Sequence, residues 1–166
     1  MSESTLPSVA SLELASLHST SYEQLTAAAQ ALVNNRSEAE EIVQEAFARC
    51  LDAWTRRGVP ASPAAYLHRS VVNVGRNRVR RRVVFRRLNL HPALHPPTEL
   101  PTIESEQPLL DALSQLPGRQ RECLVLRFVL DLPVAEVAEI LGIGEGAVKA
   151  HTHRGLRALE NMQEAE

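Results

Sequence analysis

The sequence has few cysteines, few aromatic residues and no long apolar segment. Cys50 and Cys123 lie far apart in the 166-residue chain, each within an apolar helical pattern, so we expect two reduced, buried thiols rather than a redox pair or a metal site. Aromatic residues make up 4% of the chain and hydrophobic residues 44%, which predicts a core of mainly Leu, Val and Ala. No apolar run approaches the roughly 20 residues that span a bilayer, and residues 1–19 lack the pattern of a secretory signal. We therefore expect a cytoplasmic protein.

The chain also lacks the signals of strands and of enzyme active sites. It has no alternating apolar runs and no Asn-Gly turns, so we expect an all-α fold. It has no nucleophile beside a base and no phosphate-binding loop, which predicts a binding protein without catalytic residues. His91 and His95 stand beside prolines, while His151 and His153 are two positions apart on a predicted helix and point in different directions. We therefore expect no metal site and no cofactor.

Prolines divide the chain into two small helical domains. Five prolines fall between positions 91 and 108, too many for the interior of any helix or strand. We predict a flexible N-terminal tail at residues 1–19, a first domain at 20–88, a proline-rich linker at 89–107 and a second domain at 108–166. The spacing of Leu12, Leu14 and Leu17 leaves open a short helix within the tail.

Two capping boxes predict the first two helices. Thr20 with Glu23 begins one helix, and Ser37 with Glu40 begins another that ends at Gly58. The outward side of this second helix is acidic with apolar flanks, and consists of Glu41, Gln44, Glu45, Phe47, Leu51 and Asp52. Such a surface can bind a basic partner helix or simply face water, and periodicity alone does not choose between the two.

The segment that ends with the third predicted helix carries most of the positive charge of the chain. Between Arg49 and Arg87 there are eleven arginines and one acid, Asp52, which gives this segment a charge of +10 in a chain of formal charge -2. Ser62 is the predicted N-cap of the helix and Pro63 its first residue, where the missing N–H costs nothing.

The third helix has an apolar side and a polar side. The apolar side consists of Leu67, Val71, Val74 and Gly75. The polar side consists of Tyr66, Arg69, Ser70, Asn73, Arg76, Asn77 and Arg80. Arginine neutralises phosphates, asparagine pairs with base edges and aromatic rings stack on unpaired bases. We interpret the polar side as a nucleic-acid-binding surface; the alternative is a solvated face, although such faces normally mix charges of both signs.

The second domain contains four predicted helices, the last two of which form a helix-turn-helix. They run from Leu109 to Leu116, Arg119 to about Leu130, Val134 to Leu141 and Glu145 to about Asn161. The second of them is predicted to bury Cys123, Leu124 and Phe128, and the last to bury Ala147, Val148, Leu156 and Leu159. In a helix-turn-helix the second helix enters the major groove of DNA. Its outward residues here are Lys149, His151, Thr152, His153, Arg154 and Arg157, which could instead be surface residues of a plain helical hairpin.

Three stretches together resemble a known family. They are EAEEIVQEAFARCLDAW, PAAYLHRSVVNVGRNRVRRR and LSQLPGRQRECLVLRFVLDLPVAEVAEILGIGEGAVKAHTHRGLRAL. Their order and spacing resemble the extracytoplasmic-function (ECF) sigma factors, small bacterial initiation factors of the sigma-70 family that have only conserved regions 2 and 4. The resemblance covers about residues 20–88 and 108–161. It implies a region 2 helical bundle and a region 4 helix-turn-helix, with core RNA polymerase (its β′ clamp coiled coil and β subunit) and promoter DNA as partners. An anti-sigma factor is a further partner common in the family.

The resemblance also implies roles for individual residues. The IVQEAF motif resembles the segment that binds the β′ clamp, with contacts from Glu41, Gln44, Glu45, Phe47 and Leu51. The loop before the third helix and the polar side of that helix resemble the surface that captures, reads and melts the -10 element, here Arg57, Ser62, Tyr66, Arg69, Asn73, Arg76, Asn77 and Arg80. The last helix resembles the reader of the -35 element, with Lys149, His151, His153 and Arg154 at base edges and Arg157 nearer the phosphates.

Two other functions fit parts of the pattern. A stand-alone helix-turn-helix regulator would use the first domain for dimerisation, and predicts a stable homodimer on a palindromic operator. A decoy that binds polymerase without reading DNA predicts that Lys149→Ala and Arg154→Ala leave activity unchanged.

Overall fold

The computed structural model describes residues 7–88 and 106–165, and within these ranges the regular structure is entirely helical. This confirms the predicted all-α fold. Seven α-helices are described: α1 (Val9–Val33), α2 (Arg36–Arg57), α3 (Pro63–Arg87), α4 (Gln107–Gln115), α5 (Gly118–Leu124), α6 (Val134–Leu141) and α7 (Glu145–Glu164). A π-helical turn, Val125–Val129, continues α5. No helix in the described ranges is both long enough and apolar enough to cross a membrane.

The first helix begins earlier than predicted. The Ser8 hydroxyl caps α1 by accepting a hydrogen bond from the Ser11 amide at 3.1 Å, and helix continues from Val9 onward. Ala10 and Leu14 are buried, because these early turns pack on the rest of the domain. The prediction of a flexible tail at residues 1–19 is therefore wrong for residues 9–19, while residues 1–6 lie outside the described part of the chain.

Both predicted capping boxes are also wrong. The Thr20 hydroxyl lies inside α1 and donates to the carbonyl of Ser16 at 3.0 Å, so it caps nothing. At the start of α2 the capping side chain is Asn35, whose Oδ1 accepts from the Glu38 amide at 2.8 Å, rather than Ser37. The spacing detects the start of α2 to within two residues, because several neighbouring residues there are able to cap. No helix starts at Thr20, since α1 runs through it.

Helices α1 to α3 pack around a core of aliphatic side chains. Leu25, Ile42, Leu67 and Val71 are almost completely buried where the three helices meet. Gly75 of α3 faces α1 at close range, since a Cβ there would lie 3.4 Å from Leu32 Cδ1. The buried residues are mainly Ala, Leu and Val, as the composition predicts. This core fixes the orientation of the outward sides of α2 and α3.

The second half departs from regular helix between α5 and α6. In the π-helical turn, a backbone carbonyl accepts a hydrogen bond from the amide five residues later, which widens the helix. The residues within and after the turn therefore face other directions than α-helical spacing predicts. Phe128, predicted to be buried, is instead 59% exposed, while Leu126 and Leu130 face inward. The predicted burial of Leu156 in α7 is also wrong, because Val148 and Gly155 form the inward side of that helix.

The turn between α6 and α7 requires a glycine. Gly142 has φ +65° and its amide N–H bonds to the carbonyl of Ala138, which ends α6. Ile143 adds a second bond to the same carbonyl at 3.1 Å, as in the common left-handed end of a helix. Helix α6 begins at Val134 and ends at Leu141, and α7 begins at Glu145, as the sequence predicts.

The two halves of the chain contact each other directly. Helix α1 contacts α4 and the π-helical turn, and α3 contacts α6. The predicted linker falls mostly on residues 89–105, which lie outside the described part, while Gln107 already begins α4. The sequence predicted two domains on a tether; the structure adds an interface between them.

A close approach between α5 and α7 gives a test of this packing. A Cβ on Gly155 would lie 2.8 Å from Leu124 Cδ1 and 3.1 Å from its Cγ. We expect Gly155→Val to lower the free energy of unfolding by about 1–3 kcal/mol through overpacking, as measured by denaturant unfolding followed by circular dichroism. A Cβ on Gly146, in the same helix, would meet no described neighbour within 4 Å, so Gly146→Val should stay within about 0.5 kcal/mol of the parent. Equal stability of the two variants would contradict the close α5–α7 contact.

Candidate nucleic-acid and protein interfaces

The five predicted protein-binding residues of α2 lie together on its outward side, which we call the α2 surface (Glu41, Gln44, Glu45, Phe47 and Leu51). Glu41, Gln44 and Leu51 are exposed, and Glu45 and Phe47 are half-buried. Since successive helical residues turn by about 100°, the five positions span less than half of the helix circumference. The α2 surface is thus acidic along one edge and apolar along the other.

The apolar edge of the α2 surface continues into a groove with α1. Phe47 and Leu51 line this groove with four residues of α1 and one more of α2: Ser11, Leu14, Ala15, His18 and Ala48. Its cavity volume is about 320 Å³. The His18 ring stacks on Tyr22 with centroids 4.5 Å apart and meets the edge of Phe47 at 5.4 Å. The sequence analysis assigned no function to these α1 residues, because it treated residues 1–19 as a tail with at most a short helix through Leu12, Leu14 and Leu17.

The acidic edge of the α2 surface is paired with α3. Arg78 donates to Glu41 at 3.1 Å and to Glu45 at 3.2 Å, and Arg49 donates to Glu45 at 2.6 Å. Burial of the Glu45 carboxyl raises its pKa, but hydrogen bonds and charge from Arg78 and Arg49 outweigh this, so the pKa lies below its ordinary value. The Glu45 side chain is therefore a carboxylate at neutral pH, and a cationic partner has to compete with Arg78 for Glu41 and Glu45.

The polar side of α3 lies at the molecular surface. Tyr66, Arg69, Asn73, Asn77 and Arg80 are exposed, and the ring of Tyr66 rests edge-on against Trp54 of α2 with centroids 5.8 Å apart. Arg57 and Ser62, which precede the helix, are exposed as well. The Ser62 hydroxyl makes no capping hydrogen bond in the described structure. We call the six helical residues Tyr66, Arg69, Asn73, Arg76, Asn77 and Arg80 the α3 polar face.

Two arginines of the α3 polar face contact the second half of the chain. Arg76 is 29% exposed and forms a two-pronged ion pair with Glu122 of α5, with Nε–Oε1 at 2.8 Å and Nη2–Oε2 at 3.1 Å. Arg69 donates from Nη2 to the carbonyl of Glu139 in α6 at 3.1 Å. These contacts were not predicted, because spacing within one helix says nothing about a distant segment.

Four of the five predicted DNA-contacting residues of α7 are exposed. Lys149, His153 and Arg157 are spaced by four residues and follow one another along the same side of the helix, and Arg154 is next to His153 in sequence. His151 does not join them. His151 is two residues after Lys149, so its side chain is rotated by about 200° around the helix and turns toward the interior. It is half-buried, and its Nδ1 has no hydrogen-bond partner among the described residues. We correct the predicted surface accordingly and omit His151 from it.

Both cysteines are buried away from these surfaces. Burial raises the pKa of the Cys50 thiol to about 11, partly offset by a hydrogen bond from Ser70, and raises that of Cys123 to about 11 as well. Among the described residues no group of histidine, cysteine and acidic side chains is placed to hold a metal ion.

We expect both thiols to be unreactive in the native protein. Thiolates rather than thiols attack disulfide reagents, and burial disfavours the thiolate and blocks access. An aromatic disulfide reagent at pH 8 should label neither Cys50 nor Cys123 before unfolding and both after denaturation. Rapid labelling of either thiol in the native protein would contradict this burial.

Comparison with known proteins adds a family to this geometry. The family profile described as "Sigma-70 region 2" matches residues 17–83, and the one described as "Sigma-70, region 4" matches residues 106–159. The chain is 30% identical over 138 residues to the RNA polymerase sigma-E factor of Streptomyces antibioticus, covering 80% of this chain and 74% of that protein. It is 43% identical over 58 residues to the ECF RNA polymerase sigma factor BldN of Streptomyces coelicolor, a match that spans 35% of this chain and 22% of that longer protein.

A solved structure has the same fold. The sigma factor RpoE, crystallised in complex with the anti-sigma factor NepR from Bartonella quintana, superposes with a TM-score of 0.71 at 20% sequence identity. The superposition covers 93% of this chain and 98% of the other. At that identity the likeness concerns the arrangement of helices alone.

Proposed function

Because the chain belongs to the ECF group of RNA polymerase sigma factors, which act in transcription initiation, we propose that it directs core polymerase to promoters through three surfaces. The α2 surface binds the polymerase clamp, the α3 polar face reads and opens the -10 element, and α7 reads the -35 element. The separation of charge between the two surfaces supports this division most strongly, since the charged residues of the α2 surface are both glutamates and those of the α3 polar face are all arginines. The protein acts by binding, and polymerase performs the chemistry.

The α2 surface suits a basic helical partner with an apolar stripe. Glu41 and Glu45 supply negative charge along one edge, and Phe47 and Leu51 supply apolar area along the other. Charge complementarity sets partner choice and encounter rate, while burial of the apolar edge supplies affinity. Arg78, which pairs with both glutamates, lies on the side of α3 that faces α2, so a docked partner competes with an internal ion pair.

The α3 polar face suits DNA whose bases are leaving the duplex. Unstacking costs a few kcal/mol per base, and stacking on an aromatic ring returns about 1–3 kcal/mol per base. Tyr66 is the exposed ring at the head of this face, Asn73 and Asn77 offer amide groups to base edges, and Arg80 offers charge to phosphates. One face thus combines stacking, base pairing and charge neutralisation.

Helix α7 suits the major groove of intact duplex DNA. Lys149 lies in its second turn and His153 and Arg154 in its third, close to the end that enters the groove in a helix-turn-helix. Arg157 lies one turn further along, where the helix leaves the bases and meets the phosphate backbone. Two dissimilar elements read by two separate helices fit an asymmetric promoter.

An anti-sigma factor is the regulatory partner that we propose for this chain. The relative RpoE was crystallised with such a partner, NepR. The groove between α1 and α2 and the α2 surface together offer an apolar and acidic area where a protein could block access of polymerase.

Run-off transcription with core polymerase and a promoter library tests the proposed function. We expect specific transcripts from promoters that share two short elements, and none from core polymerase alone. Glu45→Arg should weaken binding to core polymerase by about tenfold or more, since it places a cation against a basic partner and against Arg78. The matched control is Glu23→Arg on α1, where the side chain is 84% exposed. Full affinity of Glu45→Arg for core, at unchanged thermal stability, would remove the α2 surface from docking.

Substitution on α3 tests the assignment of promoter opening. Asn73→Ala should reduce opening of the -10 region in the polymerase complex by about tenfold, because one base contact is worth about 1–3 kcal/mol. Opening is measured by the fluorescence of 2-aminopurine placed in that element. Arg86→Ala, on the same helix but about 140° away around it, should leave opening near the parent level. Equal opening by the two variants would mean that the melting surface lies elsewhere.

A further inference from the structure

The last two turns of α3 extend beyond the core of the first domain. The last fully buried residue of the helix is Gly75, and every residue from Val83 to Leu88 is exposed. Arg82 still contacts the domain, because its guanidinium group donates to Glu38 and to the carbonyl of Val33. The helix therefore continues for about 9 Å past Arg82 without a buried side.

The outward side of this extension carries a regular pattern. Four residues spaced at i, i+3, i+4 and i+7 lie on one side of the helix, and we call them the distal stripe: Arg80, Val83, Val84 and Arg87. Arg82, which points to the domain, is rotated by about 200° from Arg80, so the distal stripe faces away from the domain. All four residues are exposed, with Val83 at 42% and Val84 at 47%.

The distal stripe continues the α3 polar face along the helix. Arg80 belongs to both, and Asn73, Arg80 and Arg87 follow one another at intervals of seven residues. Seven residues make about two helical turns, so these three side chains lie on the same side. A nucleic acid that lies along the polar face and continues past Arg80 therefore meets the distal stripe.

The two adjacent valines of the stripe do not serve the fold. A β-branched residue loses side-chain freedom in a helix, so valine is a poorer helix former than the alanine, leucine and arginine that also occur in α3. Both valines are exposed and add little buried area to the core. Adjacent exposed apolar side chains between charged ones are typical of a binding surface.

The distal stripe has the dimensions of the major groove of duplex DNA. Seven residues separate Arg80 from Arg87, which places them about 10 Å apart along the helix axis. The major groove is about 12 Å wide and admits an α-helix. A helix that crosses the groove meets the phosphates of one wall near Arg80 and those of the other wall near Arg87. Val83 and Val84 then lie over the base edges, where the apolar group is the 5-methyl of thymine.

We propose that the distal stripe binds the major groove of duplex DNA immediately upstream of the -10 element and prefers thymine there. The inference rests on the proposed function, in which the α3 polar face reads the -10 element. The helix that reads the -35 element follows α3 in the chain, so the C-terminal end of α3 is its upstream end. The stripe is long enough for about three base pairs of 3.4 Å each.

Replacing thymine by deoxyuridine tests the methyl contacts, because the two bases differ only in that group. The full chain is assembled with core polymerase on a fluorescent promoter duplex from the library that has thymines directly upstream of the -10 element. We expect deoxyuridine at these positions to weaken binding by about fourfold for each contacted methyl group. Equal binding of the two duplexes by the parent chain overturns the contact.

Serine substitution then tests whether the valines read the methyl groups. Serine and valine have similar helix propensity, so Val83→Ser with Val84→Ser should keep the helix and lose most of the discrimination between thymine and deoxyuridine. The matched control is Val9→Ser in α1, where the side chain is 74% exposed, and it should discriminate like the parent. Discrimination retained by the double variant would assign the methyl contacts to another part of the complex and overturn the proposal.

The salt dependence of the same complex tests the arginine at the end of the stripe. Arg87→Ala should lower the slope of log affinity against log salt by about 1, since one phosphate contact is lost. Arg86→Ala removes the same charge from the neighbouring position, which is exposed but rotated by about 100°, and should leave the slope unchanged. Equal slopes for the two variants contradict a phosphate contact by Arg87.

Cleavage by a tethered iron chelate locates the stripe on the promoter. Val84→Cys provides an exposed thiol for the chelate, whereas Cys50 and Cys123 are buried and should stay unlabelled. We expect strand cuts in the duplex directly upstream of the -10 element, and cuts confined to other positions overturn the placement.

Two further outcomes separate this inference from its rivals. If the double serine variant bound core polymerase several-fold more weakly in the absence of DNA, the stripe would bind protein and the proposal would be wrong. A parent chain that initiates from its promoters but ignores the upstream thymines contradicts this inference alone. A parent chain that gives no specific transcripts with core polymerase contradicts the proposed function.

Discussion

The structure depends on the placement of the arginines of α3 against carboxylates. Eight arginines within the 25 residues of α3 would repel one another in a compact fold unless many of them met negative charge. Arg78 meets Glu41 and Glu45, and Arg82 meets Glu38 and the carbonyl of Val33 at the end of α1. These pairs attach one side of α3 to the rest of its domain. The opposite side keeps its charge for a polyanion, and this division makes one helix serve both folding and DNA binding.

The second half repeats the same chemistry on the other side of α3. Glu122 binds Arg76 as Glu41 and Glu45 bind Arg78, so each side of the helix is opposed by carboxylates from a different part of the chain. Half-buried ion pairs contribute modestly to stability, because desolvation offsets much of the attraction. An ion pair of this kind can therefore be replaced by a contact with a binding partner at little cost in stability. In the proposed function, polymerase meets the side of Glu41 and Glu45, and promoter phosphates meet the side of Arg76.

Local features of the fold were predictable from sequence, and features that depend on distant segments were not. The start of α3 at Pro63, the span of α6 and the glycine turn at Gly142 follow from capping, proline and glycine rules that act over a few residues. The early start of α1 was predicted only as a possible short helix, because the packing that buries Ala10 and Leu14 involves segments distant in sequence. The exposed position of Phe128 was missed because a π-helical turn changes the periodicity on which the prediction relied.

For the candidate surfaces too, features set within one helix were predictable and contacts with distant segments were not. Side-chain exposure on α2 and α3 followed from helical spacing, since the apolar residues of each helix identify its inward side. His151 was misplaced because residue type was given more weight than its rotation relative to Lys149. The Arg76–Glu122 pair joins residues 46 positions apart, and no periodicity within one helix can reveal such a contact.

The salt dependence of promoter binding tests the division of the arginines most directly. For the polymerase complex, the slope of log affinity against log salt counts phosphate contacts, at about 0.9 for each. The account predicts that Arg80→Ala lowers this slope by about 1 without changing the thermal stability of the protein. It predicts that Arg82→Ala, which removes a partner of Glu38, lowers the stability and leaves the slope unchanged. If both variants changed the slope equally, or if neither did, the division of α3 into a folding side and a DNA side would be wrong.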